Sequence, residues 1–184
     1  MNNSRQRLTT ETPLSVARLV SMTTLALIAF AANSLFCRAA LADGRIDAAS
    51  FTSIRLLAGA AVLWLIVRIR AGSAVGQGNW LSALALFAYA AGFSFAYLEL
   101  STATGALLLF GAVQSTMIGY GLYRGERLRV PQLGGLLLAI GGLVGLLLPG
   151  VAAPPPLASA LMLGAGMAWG IYSLRGKGAG DPLQ

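Results

Sequence analysis

The sequence predicts an all-α membrane protein with six transmembrane helices, and three observations carry that prediction. First, 57% of the 184 residues are hydrophobic and only 10% are charged, whereas a soluble domain needs about a quarter charged to cover its surface. Second, apart from tyrosine and cysteine, no ionisable residue occurs between Arg18 and Arg38, Arg70 and Glu99, Glu99 and Arg124, or Arg129 and Arg175. Those gaps hold 19, 28, 24 and 45 residues. A helix needs about 20 apolar residues to cross ~30 Å of hydrocarbon. Third, the bases that remain between the gaps fall preferentially on one side of a chain threaded back and forth.

Residues 1–18 read as a polar cytoplasmic tail. The first span covers residues 19–38. It is too long for a secretory signal core, further spans follow it, and so Ala40-Leu41-Ala42 is not read as a cleavage site. Residues 39–47 form a loop carrying Asp43, Arg45 and Asp47. The second span, 48–67, is apolar except for Arg55. Arg68, Arg70 and the glycine-rich stretch 71–79 make the next connection, and Trp80 opens the third span as an interfacial aromatic. That span reaches about residue 100. Because residues 99–104 are few and polar, spans three and four should form a tight antiparallel hairpin. Tyr120 and Tyr123 mark the end of span four. Span five covers 130–148 and stops at Pro149-Gly150. Pro154-Pro155-Pro156 stiffens the next connection, and span six covers 157–174.

With six spans, ten of the thirteen bases fall on the side of the two termini: Arg5, Arg7, Arg18, Arg68, Arg70, Arg124, Arg127, Arg129, Arg175 and Lys177. Arg38 and Arg45 fall opposite, and Arg55 lies within a span. The bias predicts an inner-membrane protein with both termini cytoplasmic. The net charge of +7 is spread in ones, twos and threes beside apolar spans, not gathered into a nucleic-acid-binding patch. The chain has no histidine and one cysteine, Cys37. That excludes Ser-His nucleophile activation, histidine-held metals and an intrachain disulfide. With no catalytic constellation and no phosphate-binding Gly-x-x-x-x-Gly-Lys-Ser/Thr loop, the sequence is read as a non-enzyme without a cofactor.

A weak internal repeat is visible. Ala31-Ala32-Asn33-Ser34-Leu35-Phe36-Cys37-Arg38 ends the first span, and Ala168-Trp169-Gly170-Ile171-Tyr172-Ser173-Leu174-Arg175 ends the sixth. Five helices separate the copies, so the second is inverted with respect to the first.

Other segments point the same way: Ile54-Arg55-Leu56-Leu57-Ala58-Gly59, Ser101-Thr102-Ala103-Thr104-Gly105-Ala106-Leu107-Leu108, and above all Gly125-Glu126-Arg127-Leu128 with Gln132, Gly134 and Gly141. With Ala168-Trp169-Gly170, their order resembles the EamA branch of the drug/metabolite transporter superfamily over residues 19–178. The resemblance implies two inverted five-helix repeats that carry small metabolites or drugs across the membrane. On that footing 19–149 is the first repeat, and 150–184 holds the first helix of the second, apparently truncated. Two features depart from the family pattern: Val113-Gln114 stands where members often carry proline, and Asn33 stands where the sixth span has Gly170.

Polar groups inside spans need partners or a wet cavity. Asn33, Gln114, Ser115 and Thr116, with Tyr97 and Trp169, are therefore candidates for lining a substrate cavity; helix-to-helix hydrogen bonding is the competing role for each. Arg55, ~9–10 Å into its span, either snorkels to the outer surface or pairs with Glu99 at the outer mouth. Besides the bilayer, the expected partners are a small-molecule substrate and either a second copy or a missing second half. The alternative to a carrier is a truncated or half-sized protein acting only through assembly with a partner.

Overall fold

A computed structural model describes residues 16–69, 79–147 and 153–177. The expected N-terminal tail before residue 16, most of the glycine-rich loop and the Pro149-Gly150 stop lie outside them. All regular structure among the described residues is helical: α1 (Val16–Ala42), α2 (Ala48–Ile69), α3 (Trp80–Ala96), α4 (Thr102–Tyr123), α5 (Val130–Leu147) and α6 (Pro156–Gly176). Four of these, α1, α2, α4 and α6, are long and apolar enough to cross a membrane; α3 and α5 are apolar but shorter. The chain divides into two compact units, residues 1–33 and 34–184. Of the first, only the N-terminal part of α1 is described, as continuous helix with an exposed apolar surface.

Local chemistry sets the helix ends. Asp47 opens α2, its side chain accepting from the Ser50 amide at 2.8 Å. Asn79 does the same for α3, accepting from Leu81 at 2.9 Å. Ser101 starts α4 by accepting from Thr104, and Gln132 reaches back to the Arg129 amide at 2.8 Å to start α5. Each bond satisfies an amide that the first helical turn leaves without a partner. Pro156 at the start of α6 sacrifices no helical bond there.

Two ends differ from the sequence expectation. α1 continues four residues beyond Arg38 because Cys37 and Leu41 are buried on the same face, and the chain turns only at Gly44, with φ +64°. α3 stops at Ala96, not near residue 100. There Leu98 and Glu99 donate to Phe95 and Ala96, a tightened last turn that begins the short hairpin to α4.

In the second unit, α6 is the central helix. It runs antiparallel to α3: Arg175 Nε donates to Ser82 Oγ at 3.2 Å, Trp169 meets Tyr89, and Gly92 faces Leu161 and Ala165. It runs parallel to α4, where Gly166 approaches Leu109 and Ala112, and Gly170 approaches Thr116. By comparison α2 packs lightly on α3, and α5 touches little beyond α4. The outward surface is apolar, with Leu57 71% and Leu138 80% exposed, while Ser34, Thr52, Ser94 and Ser159 are buried. That distribution suits a hydrocarbon solvent. Helix association there depends on close packing and hydrogen bonds, not on removing apolar surface from water.

Candidate functional site

Tyr89, Phe93 and Tyr97 recur every four residues, so the 3.6-residue helical period places them on one face of α3. Phe93 and Tyr97 meet edge-on at 4.8 Å between ring centroids, and Tyr89 lies 5.4 Å from Phe93. From α6, Trp169 packs 4.7 Å from Tyr89, and Tyr172 lies 5.5 Å beyond it. The result is a continuous row of five rings through the core. At one end the Tyr97 hydroxyl donates to the Thr102 carbonyl at 3.3 Å, with Ser34 against it. Gly105 is needed here, because a Cβ on it would overlap the Tyr97 ring.

Two arginines address this row. Arg38 Nη1 donates to the carbonyls of Tyr97 at 2.9 Å and Leu98 at 3.0 Å, capping the C-terminal end of α3 with positive charge. Arg55, from α2, lies with its guanidinium carbon 5.1 Å from the Phe93 ring centre and 5.8 Å from those of Phe51 and Tyr89. Such cation–π contacts contribute ~0.5–2 kcal/mol each, more as water is removed. Its Nη2 donates to the Ala90 carbonyl at 3.1 Å, an oxygen already receiving Ser94 Oγ at 2.9 Å. Cys37 stands close to both Arg55 and Ser94.

Of the two roles weighed for Arg55, the pairing with Glu99 is not made. Among the described residues the only ion pair within 4.0 Å is the exposed Arg45–Asp43 contact at 3.8 Å. The reason is depth: Arg55 stands level with Ala90 and Phe93, while Glu99 is six to nine residues further along, ~9–13 Å at helical rise. Its aliphatic stem and flat head instead find aromatic faces in the helix-to-helix seam.

The five cavity candidates of the second unit do not gather in one place. Tyr97 and Trp169 belong to the aromatic row. Thr116 donates to the Ala112 carbonyl at 2.7 Å and packs against Gly170. Gln114 and Ser115 are exposed and line a separate apolar groove of about 610 Å³ between α4 and α5, with Phe110, Leu107 and Leu143. Asn33 is half-buried on α1, in the N-terminal unit. Sequence reasoning missed Tyr89, Phe93 and Arg38. The four-residue aromatic spacing on α3 was the available signal for the first two; the capping role of Arg38 needs the position of a distant helix.

Comparison with known proteins adds one relative. The chain is 56% identical over 167 residues to an uncharacterized protein of Pseudomonas aeruginosa; the match covers 90% of this chain and 58% of that protein. The chain thus spans well under two thirds of the relative's length. No family model matches the sequence, and no solved structure matches it. The class that fold and site define is an apolar helical bundle suited to a membrane, with a charged and aromatic seam in its core.

Proposed function

We propose that the chain is a six-span inner-membrane protein of the EamA type, both termini cytoplasmic, carrying small metabolites or drugs by alternating access. One observation supports this reading above the others. The C-terminal end of α1 meets the C-terminal end of α3 through Arg38, whereas the C-terminal end of α6 meets the N-terminal end of α3 through Arg175. The C-terminal part of α1 and α6 therefore run in opposite directions along α3, the relation that the first helices of two inverted repeats would have. The seam of Arg55 and aromatic rings supplies polar and charged groups inside a bundle whose exterior suits lipid, and intramembrane charge of that kind marks functional pathways.

A second reading is favoured by a separate observation. The relative extends well beyond the matched region, and α5 leaves an apolar groove with Gln114 and Ser115 open to a neighbour. On this reading transport needs further helices, from a second copy or from a separate half. Proteoliposome uptake of a metabolite panel tests both. Saturable, compound-selective uptake by this chain alone supports the carrier. Uptake only after co-reconstitution with the unmatched part of the Pseudomonas relative supports the assembly reading; no uptake in either preparation sinks both.

A further inference from the structure

A guanidinium stays charged at any pH at which the protein is folded and brings five N–H donors. In Arg55, Nη2 spends one on the Ala90 carbonyl, while Nη1 is shut off from solvent without any hydrogen-bond acceptor. The Phe51, Tyr89 and Phe93 rings stand 5.1–5.8 Å from its guanidinium carbon and supply no oxygen acceptor for Nη1. No acid among the described residues supplies a counter-charge. Asp43 faces Arg45, Asp47 caps α2, Glu99 is exposed beyond the end of α3, and Glu126 folds over Gly121 at the opposite end of the bundle. A buried charge with no counter-ion and with one nitrogen lacking an acceptor is costly, so Nη1 is poised for an anion.

We propose that Arg55 is the anion-recognition group of a binding site at the α2–α3 seam, taking the carboxylate of a small organic acid whose apolar body lies against the Phe51, Tyr89 and Phe93 rings. The inference rests on the carrier reading and names its substrate class. A carboxylate is favoured over a phosphate dianion because the site holds one positive charge, and a second negative charge would stay unpaired among aromatic walls. The guanidinium edge also fits a carboxylate in planar, two-bond geometry. Access runs through the seam itself: α2 packs lightly on α3 and is mostly exposed beyond Thr52, so the two can part while the α3–α6–α4 core stays closed. Two sources share this chemistry, a water-soluble acid and a fatty acid arriving along α2 from the bilayer.

The test is a binding measurement that requires no transport. The protein is placed in phosphatidylcholine nanodiscs with Trp64→Phe and Trp80→Phe, leaving Trp169 beside Tyr89 as reporter. It is titrated with benzoate, with neutral isosteric benzamide, and with oleate added to the disc. Saturable benzoate binding is expected, with benzamide weaker by roughly tenfold or more, the factor expected from losing a charge-assisted hydrogen bond. R55Q should abolish the difference, and R55K should retain part of it. Arg55-dependent displacement of benzoate by oleate assigns the site to membrane-borne acids, and its absence assigns it to soluble ones; both support the site. Equal binding of benzoate and benzamide, no saturable binding of any probe, or benzoate binding unchanged in R55Q overturns it. If R55Q loses its helical circular dichroism, the benzoate-to-benzamide ratio of the unsubstituted Arg55 protein decides alone. Uptake that R55Q leaves intact removes the anion site and spares the carrier; benzoate binding without any uptake does the reverse.

Discussion

Gly125 and Glu126 show why a short sequence signature has the form it does. Gly125 has φ +91°, a backbone that costs residues with a Cβ ~1–2 kcal/mol. It donates to Leu122 while Glu126 donates to Gly121, both at 3.0 Å, the paired bonds that close a helix through a left-handed residue. Gly121 leaves room for the Glu126 carboxylate to fold back; a Cβ there would lie 2.6 Å from its oxygen. G125A should therefore lower stability by about 1 kcal/mol. G121A should cost less, because the obstructing group is the tip of a flexible side chain. Thermal unfolding in detergent of the two variants side by side checks the order; equal losses would contradict it. Asp47 gives a pH-dependent counterpart. Its hydrogen bonds with Ser50, at the start of α2, hold its carboxyl below its ordinary value of 3.8. A carboxyl lowered by folding contributes stability that is complete above its unfolded pKa and is lost as pH falls through the lower folded one. Between the unsubstituted protein and D47N, the stability difference should therefore shrink as pH drops through and below the aspartate range. A gap constant from pH 7 to pH 3 would refute the cap as the source. Arg55 was visible in the sequence as an anomaly, but its neighbours were not, since charge suggests an acid while the fold supplies three rings and a carbonyl.

Helix α6 is held by what its glycines lack. A Cβ on Gly166 would come within 2.6 Å of both the Ala112 Cβ and the Leu109 carbonyl, and one on Gly170 within 2.9 Å of Thr116. On the α3 side the relation is reversed, with Gly92 making room for Leu161 and Ala165. In lipid such close approach replaces the hydrophobic drive that packs soluble helices. Putting a large side chain at Gly166 must push α6 off backbone and Cβ atoms that have nowhere to move. G166L should destabilise by ~1–3 kcal/mol or more, the range for overpacking. G141L, at a position where an added Cβ meets nothing within 4 Å, should change little; similar melting shifts for both would show that α6 does not pack this tightly. Gly121/Gly125, Gly141/Gly145 and Gly166/Gly170 share one four-residue spacing along the chain. Only the last pair is a helix-packing surface. One of the others closes a turn and one faces outward. Spacing cannot separate these roles, because what distinguishes them is which helix arrives opposite. The helices themselves were legible, since charge gaps and capping residues are local signals; α1 overran its expected end because burial of Leu41 is not local.

Across the molecule, the charge pattern and the contacts speak to the same question of sidedness. The turn containing Asp43 and Arg45 follows the end of α1 that Arg38 fixes against Tyr97 and Leu98, and α4 begins nearby, at Thr102, whose carbonyl receives the Tyr97 hydroxyl. Arg127 follows the far end of α4, beyond Gly125. Asp43 and Arg127 thus mark opposite ends of the bundle, and both are exposed. The proposed topology, which keeps the excess of bases inside, assigns Arg127 to the cytoplasm and Asp43 to the outside. The single native cysteine is 1% exposed, so replacing Cys37 by Ser leaves a background in which one introduced thiol is the only target. In intact cells a membrane-impermeant maleimide should label D43C and not R127C, and opening the membrane should make R127C label as strongly. Labelling of R127C alone in intact cells would invert the orientation while keeping the crossings. Equal labelling of both before the membrane is opened would put the two ends of α4 on one side, which a helix spanning the bilayer does not allow.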